Sequence, residues 1–120
     1  MNKRQVGEYY ETLACNFLMA NGAYVLKRDY RAFRGDIDII ARDGRYLCFI
    51  EVKYRKSKRF GEPEAAVTIS KQKQICKISK FYLYSTYKSQ DVPIRYDVIA
   101  ITDIDGMASV KWHKNAFEYI

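Results

Sequence analysis

Gly35-Asp36-Ile37-Asp38-Ile39-Ile40-Ala41-Arg42-Asp43-Gly44-Arg45-Tyr46-Leu47-Cys48-Phe49-Ile50-Glu51-Val52-Lys53 is the stretch that decides the fold. It contains two apolar runs, Ile37 to Ala41 and Tyr46 onward to Tyr54, rich in residues that fit a pleated sheet, with Asp43-Gly44 between them as a hairpin signal. Charges interrupt both runs. Residues two apart on a strand share a face, so Glu51 and Lys53 point one way while Ile50 and Val52 point the other. A loop with an even number of residues brings Asp38 onto the face of Glu51 and Lys53. A four-residue loop at Asp43 to Tyr46 sets Asp38 directly opposite Glu51; a two-residue loop displaces it by one residue pair, and an odd loop separates them.

Outward from this hairpin, Val6, Tyr10, Leu13, Ala14, Phe17 and Leu18 recur at helical spacing, and Asn21-Gly22 supplies a helix end, predicting a helix from Val6 to Asn21. A short strand is expected over Ala23 to Arg28. After the hairpin, Lys56 to Pro63 reads as a basic surface loop, and Ser70 as the cap of a second helix running to about Tyr87, with Lys71, Ile75, Ile78 and Tyr82 on one stripe. Two more strands, Ile94 to Ile101 and Ser109 to His113, flank the turn Asp103-Ile104-Asp105-Gly106. The order α, β, β, β, α, β, β predicts a single α/β domain over residues 1–120, with no repeat or linker.

The chain has 120 residues, 48% of them hydrophobic, enough for one core and against intrinsic disorder. Its formal charge of +7 favours a polyanionic partner, nucleic acid ahead of an anionic membrane surface. Cys15, Cys48 and Cys76 are odd in number, widely separated and lack C-x-x-C pairing, so they suggest neither a disulfide framework nor a zinc knuckle and suit a reducing cytoplasm. Neither a signal peptide nor a membrane-spanning run is expected.

Two carboxylates held close in a partly apolar setting need a proton or a cation between them, and all-oxygen ligation suits Mg²⁺ or Mn²⁺. Such a centre polarises a phosphate and its attacking water, with Lys53 placed to position or deprotonate that water or to neutralise developing charge. The plain alternative is a solvated charge ladder along a strand.

These residues resemble the PD-(D/E)XK nuclease superfamily, and more closely the uncharacterised YraN-type proteins related to Holliday junction resolvases. The matching pieces are Gly7-Glu8, Gly35-Asp36-Ile37-Asp38-Ile39-Ile40, Phe49-Ile50-Glu51-Val52-Lys53-Tyr54-Arg55, Phe60-Gly61, Lys71 and Arg95-Tyr96-Asp97-Val98. The resemblance implies a restriction-endonuclease-like core, a mixed central sheet flanked by helices, in which Asp38 and Glu51 bind the metal, the Val52 carbonyl adds a ligand and Lys53 acts on water. It departs from the usual pattern in having Asp36 where Glu is commoner, and in lacking the proline that names the superfamily.

By motif Glu8 joins the site, although it lies about 170° from the centre of the first helix's apolar stripe at ~100° per residue. Lys71 is expected at a phosphate, or else as a snorkelling lysine at the edge of a core face. Arg31, Arg34, Arg55, Lys56, Lys58 and Arg59, interleaved with Tyr30, Phe33, Tyr54 and Phe60, form a candidate nucleic-acid surface, with a solvated charged face as the alternative. His113 beside Trp112 reads as structural. The expected activity is metal-dependent hydrolysis of backbone phosphodiesters in DNA, branched or single-stranded. A nucleic-acid-binding adaptor that keeps the fold and cleaves little is the competing expectation, and a homodimer or an accessory protein is a further expected partner.

Overall fold

A computed structural model of the chain describes residues 1–56, 67–88 and 91–120. Helix α1 (Lys3–Ala20) begins ahead of the apolar periodicity because Asn2 and Gln5 form a capping box, each side chain accepting the other's backbone N–H at 2.9 Å. It ends at Asn21, whose side-chain amide donates to the Phe17 carbonyl, before Gly22 turns the chain with φ 88°. The strands are β1 (Tyr24–Ala32), β2 (Gly35–Asp43), β3 (Tyr46–Arg55), β4 (Ile94–Ile104) and β5 (Met107–Phe117). Helix α2 (Ile69–Tyr87) is capped by Thr68, whose hydroxyl accepts the Lys71 N–H; the expected cap, Ser70, lies inside the helix.

The strands form one sheet in the order β1-β2-β3-β4-β5. Only β3 and β4 run parallel, so α2 serves as the crossover that parallel neighbours require. The fold is thus α/β, with the expected order of elements and a mixed sheet carrying a helix on each face. On one face Tyr10, Ala14, Cys15 and Leu18 of α1 pack over Ile39, Ala41, Cys48, Ile50, Ile99 and Ile101. On the other, Ile75, Ile78 and Tyr82 of α2 pack over Ile37, Ile40, Leu47, Phe49 and Tyr96. The three cysteines are free and buried in these layers. Among the described residues, no helix is long and apolar enough to cross a membrane.

β1 and β2 both extend beyond the expected bounds. They meet in a tight turn at Phe33 and Arg34, with φ of 53° and 61°. Neither residue type advertises left-handed backbone, which is why the sequence pattern shows no turn there.

The sheet is pinned at β4 by a buried acid. Asp97 has no exposed surface. Its carboxylate accepts Arg95 Nε at 2.9 Å, Arg95 Nη2 at 2.8 Å, Trp112 Nε1 at 2.9 Å and the Asn115 backbone N–H at 2.8 Å. Arg95 reaches on to Asp43 at 2.8 Å, and Lys114 joins the same carboxylate at 3.1 Å. The last bond to Asp97 explains a bulge: the β4–β5 register shifts between Tyr96 and Val98, where Asn115 takes φ 55° and turns its N–H onto the acid.

Candidate active site

β2 and β3 pair with Asp43 opposite Tyr46 and Ile39 opposite Ile50. A two-residue turn, Gly44-Arg45, therefore reaches the register expected of the four-residue loop, because it falls one residue later than the Asp43-Gly44 step. Carried one pair further, that register sets Asp38 against Glu51. The backbone ladder stops before this pair, and the Val52 N–H donates to Asp38 Oδ2 at 2.8 Å. As expected from alternation, Ile50 and Val52 face α1, leaving Glu51 and Lys53 to the other side.

Asp38 lies where the alternation of β2 slips. Ile39 and Ala41 pack beneath α1 and Ile40 beneath α2, yet Ile37 also belongs to the α2 side. On neighbouring β1 the same break occurs at Asp29, which has φ 49°: Arg28 reaches back to α1, whereas the Tyr30 ring packs edge-on against Tyr82 of α2. Asp38 thus occupies a seam between the two helical layers, close enough to feel both Lys71 of α2 and Glu11 of α1.

Burial pushes the Asp38 carboxyl up to about 7, helped by its hydrogen bond to the Glu51 carboxyl and by the charge of Glu51; the Val52 N–H and Lys71 pull the other way. Asp36 is likewise raised, chiefly by burial and then by the charge of Asp38. Lys71 bridges this acidic group: its ammonium lies 3.8 Å from Asp36, 4.0 Å from Glu51 and 3.0 Å from the Gln74 side-chain oxygen. Gly35 leaves room for the Gln74 side chain that holds Lys71, since a Cβ there would clash with it.

The pair fits a hard divalent cation. The donors are oxygens only, and burial together with the charge of Glu51 disfavours the charged form of Asp38, a cost that a cation between them would offset. Among the described residues no group of three or more His, Cys, Asp or Glu is placed to hold a metal. Two carboxylates with a backbone carbonyl such as that of Val52 leave coordination to be completed by water or substrate, the habit of Mg²⁺.

Of the remaining candidates, Glu8 does not join the pair. It is 61% exposed and pairs with Arg4 at 3.4 Å, one turn along the solvent face. Glu11 is the α1 carboxylate turned toward the seam: it is 15% exposed, its carboxyl is raised by burial, and Arg28 holds it at 3.0 Å. It shares the row of Ala14, Cys15 and Leu18, the signal by which the helical wheel identifies it. Lys53 is half-buried on β3 opposite Ala100. Lys71 contacts carboxylates and not an outer surface. Arg34 is exposed at the β1–β2 turn, Arg55 half-buried at the end of β3, and Lys56 exposed beside Tyr9, Tyr10 and Asp103. Lys58, Arg59 and Phe60 lie outside the described residues. Two of the expected stacking aromatics are already engaged, Tyr30 on Tyr82 and Tyr54 on Tyr10 at 4.3 Å between ring centres. His113 sits in β5 opposite Val98.

A five-stranded mixed sheet between two helices, with paired acids where its two central hairpin strands part, marks an α/β protein with one acidic centre. Within that class the chain belongs to a defined family: residues 10–101 match the model of "Uncharacterised protein family UPF0102". It is 43% identical to a UPF0102 protein of Geotalea daltonii, over 98% of this chain and 92% of the relative. A UPF0102 protein of Lachnoclostridium phytofermentans is 41% identical, over 98% and 97%.

Proposed function

We propose that this protein hydrolyses phosphodiester bonds in the backbone of DNA with the help of Mg²⁺ or Mn²⁺. The observation that carries the proposal is the Asp38–Glu51 pair, two acids brought together on adjoining strands, with the ammonium of Lys71 4.0 Å from Glu51. Asp38 and Glu51, with the Val52 carbonyl, would hold the ion. When bound, such an ion polarises a phosphoryl oxygen and makes water a stronger nucleophile at neutral pH. The Val52 N–H keeps Asp38 aimed into the seam at 2.8 Å, so the acid is oriented before substrate arrives. Lys71, whose ammonium stands 3.8 Å from Asp36 and 4.0 Å from Glu51, would neutralise a phosphate oxygen brought to the pair. Lys53, two residues beyond Glu51 on its face of β3, would orient the attacking water or neutralise charge developing on the phosphate. The formal charge of +7 draws the polyanion in.

Cleavage of labelled single-stranded, duplex and branched DNA with Mg²⁺ or Mn²⁺ tests the proposal. Asp38→Asn and Glu51→Gln are expected to abolish cleavage while sparing DNA binding. DNA binding without cleavage across the whole panel would instead identify an adaptor, and neither cleavage nor calorimetric uptake of either ion would end the metal-centre account.

A further inference from the structure

Helix α2 carries Lys71, Lys73, Lys77 and Lys80, and from Ile69 to Tyr87 it has no acidic residue. Its inner row is Ile75, Ile78, Ser79 and Tyr82, all buried. At ~100° per residue, Lys73, Lys77, Phe81 and Tyr84 fall together on the opposite side. Phe81 is 45% exposed and Tyr84 77%. An exposed charged stripe is ordinary; one in which two cations run straight into two large uncovered rings is not explained by solubility.

The β1–β2 turn adds to this face. Phe33 and Arg34 both adopt left-handed backbone, which is unfavourable for a bulky side chain and persists where the surroundings hold it. Here the turn leaves the Phe33 ring 51% exposed, edge-on to Phe81 at 5.3 Å between centres, with the Lys77 ammonium 4.4 Å from its centre. A cavity at this turn is lined by Arg31, Ala32, Arg34, Gly35 and Asp36, the last being one of the two acids that Lys71 approaches. On α2, Lys73 and Lys77 flank Gln74, the residue seated over Gly35. The platform and the candidate active site therefore adjoin through Asp36 and Gln74.

We infer that Phe33 and Arg34 of the β1–β2 turn, with Lys73, Lys77, Phe81 and Tyr84 of α2, form a docking platform for an unpaired polynucleotide strand. The inference rests on the proposed function and names its substrate class, a strand with bases free to stack. Cations set directly beside exposed rings, as Lys77 is beside Phe33, suit a strand that offers both phosphates and flat bases, and every base has a face to stack. A paired duplex hides those faces and would use only the lysines. From Lys73 to Tyr84 the helix rises about 16 Å at ~1.5 Å per residue, room for a few nucleotides.

The test is fluorescence anisotropy of labelled oligo(dT), oligo(U) and a duplex of equal length with the full chain in EDTA, so that no cleavage is needed. Both single strands, or one of them, should bind more tightly than the duplex. Phe33→Ala is expected to weaken single-strand binding about tenfold and to leave duplex binding nearly unchanged. Lys77→Glu should weaken both and flatten the salt dependence by on the order of one phosphate contact. Arg45→Glu, the same charge change at the opposite end of the β2–β3 hairpin, should alter binding by less than about threefold. All three positions are exposed, and matching circular dichroism and thermal melts establish that each variant is folded. Tighter binding of duplex than of either single strand, an unchanged Phe33→Ala, or equal effects of Lys77→Glu and Arg45→Glu would overturn the platform. Those results would stand apart from the nuclease proposal: single-strand binding that depends on Phe33 and Lys77 without any cleavage keeps the platform and rejects the enzyme, whereas cleavage with unaltered variant affinities does the reverse.

Discussion

Replacing Asp97 by Ala is predicted to destabilise the fold by about 3–5 kcal/mol, the usual cost of removing one partner from a buried ion pair. Asp97 has no solvent-exposed surface, and its carboxylate receives two guanidinium bonds from Arg95, the Trp112 indole N–H and the Asn115 backbone N–H. Hydrogen bonds to a charged group contribute roughly 1.5–3 kcal/mol each, but they are not all lost independently. Arg95 keeps Asp43 at 2.8 Å, so its charge is only partly orphaned. The Asn115 N–H, next to exposed residues, recovers water once the bulge relaxes. Those offsets are why the sum stays near 3–5 kcal/mol instead of rising with every bond counted. A domain of this kind is stable by about 5–15 kcal/mol, so the variant still folds in the cold and unfolds early on warming or in urea. Equilibrium urea unfolding, followed by far-ultraviolet circular dichroism and by the fluorescence of Trp112, measures the change. With a slope of about 1–3 kcal/mol/M the midpoint should fall by on the order of 2 M. Trp112→Phe removes a single donor and should cost about 1–2 kcal/mol, a milder step along the same series. A loss below about 1 kcal/mol for Asp97→Ala would refute the view that this acid pins β5 to β4.

Three further outcomes are predicted. Arg95 and Lys114 hold the Asp43 carboxyl below its ordinary value, so its contribution is present above the unfolded-state value and is lost as pH falls through the folded one; Asp43→Asn should cost about 1 kcal/mol at pH 7 by urea titration, with the difference from the parent vanishing in acid. Gly35→Ala forces Gln74 aside and with it a partner of Lys71, so thermal melts should shift little while cleavage falls severalfold; a wild-type rate would show that Gln74 does not position Lys71. Glu11→Gln should weaken calorimetric Mn²⁺ uptake by about tenfold, as expected of a residue beside the ligands, whereas Glu8→Gln should leave it unchanged; the opposite ranking would return Glu8 to the site.

Much of this arrangement is legible in the residues themselves. Period-3.6 patterns mark the helices, and the β2–β3 register and strand parity put Asp38 on the side of Glu51, although the alternation of β2 slips beside that residue. The β1–β2 hairpin is not legible, since a turn of Phe33 and Arg34 carries neither Gly nor Asn and is held by packing on Phe81 and Lys77. Glu8 matches a motif, but helical geometry puts Glu11 on the buried row, and the motif cannot overrule the wheel. Lys71 was legible as a lysine on the core stripe. That it bridges Asp36 and Glu51 follows from the approach of α2 over Gly35, a contact between elements far apart in the chain.

The crossover between β3 and β4 has a consequence for the order of folding. Asp38 and Glu51 belong to one hairpin closed by the two-residue turn at Gly44, whereas β3 meets β4 only after the chain has run from Arg55 through α2 to Ile94. Short loops close at little entropic cost and long ones later, so the two acids are expected to meet before α2 delivers Lys71. Their mutual repulsion then belongs to the folding barrier. Glu51→Gln should accelerate refolding, and Lys71→Ala should act mainly on the unfolding rate. Stopped-flow chevrons separate the two, and equal effects on both limbs would mean that the hairpin and helix close together. On this account a centre suited to a cation leaves its mark on how fast the chain becomes a protein, before any substrate is met.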